Sequence, residues 1–233
     1  EQAVTVLGVG GWHIGRMETA GEAEATIETA LEGGVRFFDS AESYQKGESE
    51  RRLGQFLTPK YRDVVFLMTK TTARDAETAR KHLEGSLQRL KTDYLDLWQM
   101  HTVQDPEDVD RRIEQGVLEV MAEAKASGRV RHIGFTGHRR PSAHRRVLEK
   151  TDIFETCQMP INVADPTYES FIEGVLPALL ERKFGVLAMK TLANGRFFGG
   201  SGAQEDTPHL VPGRVSIEDR LGYSTEGQEI YFD

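Results

Sequence analysis

Short apolar runs alternate with longer amphipathic segments along most of the chain. Most of the runs are apolar on both faces, which is typical of strands in a parallel sheet that is covered by helices. They predict seven strands, at residues 4–9, 35–39, 64–70, 94–101, 131–136, 154–159 and 185–190.

Between these runs the apolar residues recur at helical spacing. The four stripes are Ala23, Ile27, Ala30 and Leu31; Ala76, Ala79, Leu83, Leu87 and Leu90; Ile113, Val117, Val120, Met121 and Ala124; and Phe171, Val175, Leu176, Leu179 and Leu180. The first stripe is predicted to begin near Gly21 and to end at Gly33 and Gly34, in the position of a C-cap. Alternating strands and helices predict βα units around a parallel sheet, either an open doubly wound sheet or a closed barrel.

The ends of the predicted strands favour the barrel. No G-x-G-x-x-G motif joins the first strand to the first helix, so a Rossmann fold is weakly supported. Each predicted strand after the first has a polar residue at its end or one position before it. These residues follow one another at intervals of 22 to 35 positions: Asp39, Lys70, His101, Thr136, Gln158 and Lys190. Functional groups at the C-terminal ends of successive strands are typical of a (β/α)8 TIM barrel. We therefore expect the 233 residues to form one barrel domain.

Composition limits the possible partners and the compartment. The net charge of −8 argues against nucleic acid and against an anionic membrane surface as partners. The chain has one cysteine, Cys157, which excludes an intramolecular disulfide framework, a cysteine zinc cluster and an iron–sulfur ligand set. A reducing compartment fits, so we expect a cytoplasmic protein, with a cleaved export signal left open. No apolar run is long enough for a membrane span.

Four polar residues at the predicted C-terminal face make sense together as an acid–base device. They are Asp39, Lys70 and His101 at strand ends and Tyr44 in the loop after Asp39. A phenol titrates too high to exchange protons readily at neutral pH, but a nearby ammonium stabilises the phenolate and a carboxylate holds that ammonium in place. An imidazole beside the phenol can orient a substrate oxygen. Such a device delivers a proton to a carbonyl oxygen as negative charge develops on it.

Residues 39–50 resemble the aldo-keto reductase signature D-[ST]-A-x-x-Y-x-x-G-x-S-E at every fixed position. The strands that end at Lys70 and His101 resemble the third and fourth strands of the same family. This resemblance implies a (β/α)8 barrel, NAD(P)H as hydride donor and reversible interconversion of carbonyl and alcohol. It also implies that Tyr44 is the general acid and base, that Lys70 and Asp39 tune it, and that His101 positions the carbonyl.

The resemblance also implies cofactor contacts, with NADP(H) favoured over NAD(H) and no metal. The residues it assigns to the cofactor are Thr136, Gln158, Met189, Lys190, Thr191, Leu192 and Gly195. Two positions depart from the family: Gly137 stands where many members have Asn, and Met189 where many have a Tyr that stacks on the nicotinamide ring. Trp12 and His13 are predicted to line the substrate pocket, although a packing Trp beside a solvated His is an equally good interpretation.

Other interpretations stay open at this stage. The chain could be a cofactor-binding regulatory subunit with slow or vestigial reductase activity. Lys70 could form a Schiff base as in an aldolase, and Asp39 with His101 could belong to a metal hydrolase. We predict that Trp98 packs inside the barrel and that His82 and His144 lie on the surface. The carbonyl substrate and the oligomeric state are undetermined.

The barrel prediction leaves a shortage at the C-terminal end. Only 43 residues follow Lys190, whereas the last helices and the eighth strand need about 50 or more. We therefore expect the eighth strand and the C-terminal region to be missing, through unobserved residues, a shortened chain or a divergent barrel. The first explanation is favoured, and it predicts a discontinuity between about Gly200 and Arg220.

Overall fold

The computed structural model describes residues 3–192. Within them, seven parallel strands follow one another in chain order. The strands are β1 (Gly8–Gly10), β2 (Phe37–Asp39), β3 (Phe66–Thr71), β4 (Leu95–Met100), β5 (Val130–Thr136), β6 (Thr156–Pro160) and β7 (Gly185–Met189). The predicted parallel α/β fold is confirmed, and each strand overlaps a predicted run.

Helices lie between the strands of the described chain. They are α1 (Gly11–Arg16), α2 (Ala20–Glu32), α3 (Glu48–Phe56), α4 (Thr58–Tyr61), α5 (Ala76–Leu90), α6 (Pro106–Glu114), α7 (Val117–Ala126), α8 (Pro141–Lys150), α9 (Phe171–Gly174) and α10 (Leu176–Glu181). Short 3-10 turns occupy Tyr44–Gly47, Arg62–Val64 and Asp165–Thr167.

The residues divide into two compact units. The first contains Glu1–His101 and Asp110–Gly134, and its strands run in the order β1, β2, β3, β4 and the start of β5. The register aligns Asp39 with Met68 and Lys70 with Gln99. The second unit contains Thr102–Val109 and the described residues from Phe135 onward, and in it Pro160 of β6 pairs with Met189 of β7. The prediction of a single domain stays a prediction.

Local signals fix the bounds of the second helix. Thr19 caps α2 by accepting a hydrogen bond from the Glu22 main-chain N–H at 3.2 Å, and the Glu22 carboxylate accepts one from the Thr19 main-chain N–H at 3.2 Å. This reciprocal capping box satisfies two donors that the first turn leaves unpaired. The helix ends at Glu32 with Gly33 as its C-cap, as predicted, and Gly34 follows with φ of +87°.

Three boundaries differ from the prediction. The first strand is shorter, because Val6 and Leu7 are exposed and pairing begins only at Gly8. A six-residue helix, α1, occupies the segment that the sequence left without structure before Gly21. The third stripe forms two helices, α6 and α7, because Gly116 between them adopts a left-handed conformation with φ of +81°.

Burial confirms one predicted core residue and corrects one surface assignment. Trp98 is fully buried, as expected. The prediction for His144 is wrong, because its side chain is also fully buried, with ring centroids 5.4 Å from Phe135 and 4.9 Å from Phe171. Ala143, Val147 and Leu148 of the same helix are buried as well, so His144 lies on the buried face of α8.

The expectations for the C-terminal region fall outside the described residues. They concern the missing eighth strand, the discontinuity between Gly200 and Arg220, and the cofactor contact of Gly195. None of the described helices has the length and apolar character to cross a membrane.

Candidate active site

The sheet carries the predicted acid–base residues at one end. Asp39 is the last residue of β2, and Lys70 is the next-to-last residue of β3. His101 follows β4 directly, and its main-chain N–H donates to the Thr71 carbonyl oxygen at 2.8 Å. Because β2, β3 and β4 are parallel neighbours, their C-terminal ends meet at the same edge. Tyr44 begins the 3-10 turn five residues after Asp39.

The turn at Tyr44 has an uncommon backbone. Gln45 and Lys46 have φ of 45° and 55°, and Gly47 has φ of 85°. Non-glycine residues adopt the left-handed region at a cost in free energy, and such residues concentrate at functional sites. These two residues and Gly47, all with positive φ, turn the chain sharply after Tyr44 and lead it into α3.

Lys70 connects three groups of the site. Its Nζ donates hydrogen bonds to the Asp39 carboxylate and, at 2.8 Å, to the main-chain oxygen of Ser40. The same Nζ lies 3.3 Å from the Tyr44 hydroxyl. The Lys70 side chain is only 2% exposed. A buried ammonium is costly unless it is paired and hydrogen-bonded, and here both conditions are met.

These contacts set the protonation of the site. Burial raises the pKa of Tyr44 above its ordinary value; the Lys70 charge and hydrogen bond oppose this, whereas the Asp39 charge adds to it. Burial also opposes the charge on Lys70, but Asp39 and Tyr44 outweigh burial and raise the Lys70 pKa. The expected lowering of the phenol pKa by Lys70 is therefore present, but burial exceeds it, and the phenol stays protonated at neutral pH.

Two aromatic rings contact Tyr44 edge to face. The Trp12 ring centroid lies 5.2 Å away with an interplanar angle of 89°, and the His101 centroid lies 5.7 Å away with an angle of 75°. Trp12 is 44% exposed, so part of its apolar surface is open to solvent beside the phenol. His13 is exposed at the next position of α1.

Two arrangements around the site were missed at the sequence level. Arg112 of α6 is fully buried and donates to the main-chain oxygen of His101 at 2.9 Å. Glu50, also buried, accepts hydrogen bonds from the Thr69 hydroxyl at 2.6 Å and from Arg89 Nε at 2.7 Å. Glu50 could have been found, because it is the last fixed position of the signature. A helical arginine such as Arg112 has no comparable signal.

The predicted cofactor residues belong to the second unit. Thr136 at the end of β5 and Gln158 in β6 are 2% and 7% exposed. Met189 ends β7 and is half-buried. Lys190 follows it with φ of +54°, and its carbonyl oxygen accepts a bond from Asn162 Nδ2 at 3.5 Å. Thr191 and Leu192 are exposed.

Gly137 lies in a closely packed part of the second unit. A Cβ at Gly137 would lie 2.7 Å from the main-chain oxygen of Val103 and 2.9 Å from His144 Cε1. Both distances are shorter than side-chain atoms tolerate, so no larger residue fits there without a shift of the backbone. The next residue, His138, has a pKa lowered to about 3 by burial and by the charges of Lys190 and Arg139.

The donor set of the second unit suits a nicotinamide group. A side-chain amide such as that of Gln158 has both a donor and an acceptor, which complement a carboxamide, and the Thr136 hydroxyl can do either. Lys190 carries a positive charge, which is the kind of group that pairs with phosphate in proteins. Within residues 3–192, no group of three or more His, Cys, Asp or Glu side chains is placed to hold a metal ion.

Comparisons with known proteins identify the family. The sequence model of the Aldo/keto reductase family matches residues 6–215. The aldo-keto reductase YhdN of Bacillus subtilis is 32% identical over 213 residues, which cover 83% of this chain and 60% of that protein. The chain therefore spans only about 60% of the length of this relative.

Solved structures agree. The aldo-keto reductase AKR11C1 of Bacillus halodurans, in its holo form, has a TM-score of 0.72 at 23% identity, covering 83% of this chain and 64% of that one. An aldo/keto reductase of Klebsiella pneumoniae, in complex with NADP and acetate, has a TM-score of 0.69 at 25% identity, covering 84% and 70%. These likenesses agree with the (β/α)8 barrel class. With a family match over most of its length, the chain belongs to the aldo/keto reductase family.

Proposed function

We propose that the protein is an NAD(P)H-dependent reductase of aldehydes or ketones, in which Tyr44 is the general acid. The observation that carries this proposal is the Lys70 ammonium, held by Asp39 and the Ser40 carbonyl 3.3 Å from the Tyr44 hydroxyl. NADP in the Klebsiella relative supports the cofactor. The proposal includes NADP(H) in preference to NAD(H), a single barrel domain and a cytoplasmic location.

When bound, the reduced nicotinamide supplies the hydride. The residues of this chain handle the proton. Tyr44 donates its hydroxyl proton to the carbonyl oxygen as that oxygen gains negative charge, and the adjacent Lys70 charge stabilises the phenolate that remains. Asp39 keeps Lys70 charged and in place. His101 contacts the Tyr44 ring and offers an imidazole nitrogen to orient the carbonyl oxygen. In alcohol oxidation the phenolate takes the proton back.

Other residues would hold the cofactor. Gln158 and Thr136 bind the carboxamide, and Lys190 with Thr191, Leu192 and Gly195 follows the phosphates. Met189 packs on the nicotinamide ring in place of the family's stacking tyrosine. Trp12 and His13 line the side of the site that receives the carbonyl compound, with the exposed part of the Trp12 ring as its apolar surface.

The Lys70 environment argues against the Schiff-base alternative. A lysine that attacks a carbonyl must be neutral, so sites of that kind lower its pKa through apolar burial or a neighbouring cation. Here Asp39 and Tyr44 raise the Lys70 pKa. The geometry therefore favours Lys70 as a fixed charge beside an acid rather than as a nucleophile.

The test compares Tyr44→Phe with the parent in NADPH oxidation over a panel of aldehydes. Loss of a general acid is expected to lower kcat by about 10²- to 10⁴-fold, while NADPH binding is retained. Tyr94→Phe, which removes a phenol just before β4 at its other end, is the matched control and should keep the parent rate. Equal rates for Tyr44→Phe and the parent would contradict the role of Tyr44. NADPH binding without turnover in the parent would favour the regulatory subunit.

A further inference from the structure

The short helix α1 determines what surrounds Tyr44. It follows β1 without a loop and carries Trp12, whose ring contacts Tyr44 edge to face at 5.2 Å. A six-residue helix is not stable on its own, and α1 has no side-chain N-cap. The position of Trp12 therefore depends on contacts that other elements make with α1.

Two glycines allow α1 to lie directly against the elements of the signature. A Cβ at Gly11 would collide with the Asp39 carbonyl oxygen and lie 2.6 Å from the Ser49 hydroxyl. A Cβ at Gly15 would collide with the Gln45 side-chain oxygen and lie 3.0 Å from the Ser49 main-chain nitrogen. Gly11 and Gly15 are one helical turn apart, so one face of α1 is in backbone contact with the residues on either side of Tyr44.

Arg52 of α3 holds the other end of α1. Its Nη1 donates to the main-chain oxygen of Ile14 at 2.6 Å, and its Nη2 donates to that of Met17 at 2.9 Å. Its Nε donates to the Glu48 carboxylate at 3.2 Å. The side chain is 11% exposed. Carbonyl groups at a helix C-terminus lack intrahelical donors and carry partial negative charge. The buried Arg52 guanidinium supplies both hydrogen-bond donors and a positive charge.

We propose that Arg52 is a positioning residue for substrate selection. By fixing α1, it holds the half-exposed Trp12 ring against Tyr44, where the ring provides a contact surface for aromatic carbonyl compounds. Without the hydrogen bonds from Arg52 to α1, Trp12 loses its fixed position. Aromatic aldehydes then lose a preformed contact that small aliphatic aldehydes do not use. The substrate part of this inference rests on the proposed reductase function, whereas the position of Trp12 does not.

The structure supplies a matched control. Arg51 is the neighbouring residue, donates to the same Glu48 carboxylate at 2.9 Å and is 50% exposed. It bonds the Lys46 carbonyl oxygen and makes no described contact with α1. Arg51→Gln therefore removes the same functional group from the same helix without releasing α1.

The first measurement is Trp12 fluorescence, which needs no activity. The chain has two tryptophans, and Trp98→Phe isolates Trp12 by removing a buried indole whose nitrogen has no hydrogen-bond partner among the described residues. In this background we expect Arg52→Gln to increase acrylamide quenching of Trp12 by about twofold, with Arg51→Gln unchanged and Arg52→Lys intermediate. Equal quenching in Arg52→Gln, Arg52→Lys and Arg51→Gln would overturn the proposal that Arg52 fixes α1.

The second measurement is the ratio of kcat/KM for an aromatic aldehyde to that for a small aliphatic one. Arg52→Gln should lower this ratio by about two- to tenfold, the equivalent of one aromatic contact, through KM of the aromatic substrate and with little change in kcat. In a Trp12→Ala background, Arg52→Gln should leave the ratio unchanged, because Arg52 acts on the substrate only through Trp12. If Arg52→Gln fails to fold, Arg52→Lys carries the same comparison with a smaller effect.

The outcomes separate the two proposals. An equal ratio in Arg52→Gln and Arg51→Gln, or additive effects of Arg52→Gln and Trp12→Ala, would overturn the role of Arg52 in selection. An absence of NADPH oxidation in the parent protein would contradict the reductase function alone, and the fluorescence comparison would still test whether Arg52 fixes α1.

Discussion

Lys70 is the residue on which the charge balance of the site depends. Its ammonium is almost fully buried, and its partners are a carboxylate, a carbonyl oxygen and a phenol. Desolvation alone would favour the neutral amine, but Asp39 and Tyr44 together outweigh it and raise the Lys70 pKa. A permanent cation beside a phenol that stays protonated is suited to proton donation, because the proton leaves only when a substrate oxygen develops charge.

His144 is the residue whose burial should shape stability against pH. Its ring lies among apolar side chains, and burial lowers its pKa from 6.5 to about 4, although main-chain groups of Arg140 and Gln158 partly oppose this. Between pH 6.5 and 4 the unfolded chain binds a proton at this position that the folded chain does not. The contribution of neutral His144 to the free energy of unfolding is therefore fully present above pH 6.5. It is lost as the pH decreases towards 4, by roughly 3 kcal/mol in total.

We expect His144→Phe to remove much of this slope. Phenylalanine fills a similar volume beside Phe135 and Phe171 and does not titrate. Urea unfolding at intervals from pH 7.5 to 4.5 measures the free energy of unfolding for both proteins. Arg145→Gln, on the exposed side of the same helix, should keep the full slope. The same loss of stability with falling pH in His144→Phe and in the parent would contradict this explanation. His138, with a pKa lowered to about 3, should leave a residual slope in every variant.

Among single residues, the sequence predicted which side chains come together where a motif was present, and it failed where only a hydrophobic pattern was available. The signature predicted that Asp39 and Tyr44 lie together, and the ends of the predicted strands added Lys70 and His101 to them. The surface assignment of His144 failed because a helical stripe identifies a buried face from apolar residues, and a histidine on that face has the same spacing as one beside it. The roles of the predicted cofactor residues stay predictions.

At the scale of elements, the contact between α3 and α5 depends on one glycine. A Cβ at Gly54 would collide with the Arg89 carbonyl oxygen and lie 3.0 Å from Leu90 Cα. Thr58 fixes the same end of α5 by donating to the Leu90 carbonyl oxygen at 2.6 Å. Because the atoms involved are main-chain atoms, the clash cannot be relieved by a side-chain rotation.

Gly54→Ala should therefore destabilise the protein although alanine is the better helix former. We expect a loss of about 2 kcal/mol, in the range for overpacked sites, in urea unfolding at neutral pH. Gly21→Ala in α2 is the control, because the nearest atom to its Cβ would be 4.0 Å away, and it should gain about 0.5 kcal/mol. A gain for both variants would mean that α3 and α5 are not held as closely as described.

Two differences between the predicted and observed helices have physical causes. The segment that forms α1 contains Gly11 and Gly15, which lower helix propensity, and its helical state comes from contacts with residues far along the chain. Such tertiary contacts are invisible to a local pattern. The third stripe was missed for a different reason. Gly116 adopts a left-handed conformation that separates α6 from α7, although the apolar spacing continues across it.

At the scale of the whole molecule, the acid–base residues and the predicted cofactor residues come from different parts of the chain. Asp39, Tyr44, Lys70 and His101 belong to the first unit, and Thr136, Gln158 and Lys190 belong to the second. A cofactor that binds only the folded state stabilises the protein against unfolding, whatever the rate of the reaction. Thermal unfolding with NADPH therefore tests the proposed binding residues separately from the proposed chemistry.

At a concentration 100 times its Kd, NADPH should stabilise the parent by about 2.7 kcal/mol, which corresponds to roughly 5–10 °C in Tm for a chain of this size. Gln158→Leu removes the amide proposed to bind the carboxamide, and at the same NADPH concentration we expect it to lose about half of the shift, as a tenfold weaker Kd would. Gln88 is an exposed glutamine of α5, and Gln88→Leu should keep the whole shift.

A full shift in Gln158→Leu would contradict the proposed cofactor role of Gln158. A larger shift with NADH than with NADPH would contradict the proposed preference for NADP(H). Tyr44→Phe should retain the shift, because the phenol acts on the substrate proton and not on cofactor binding.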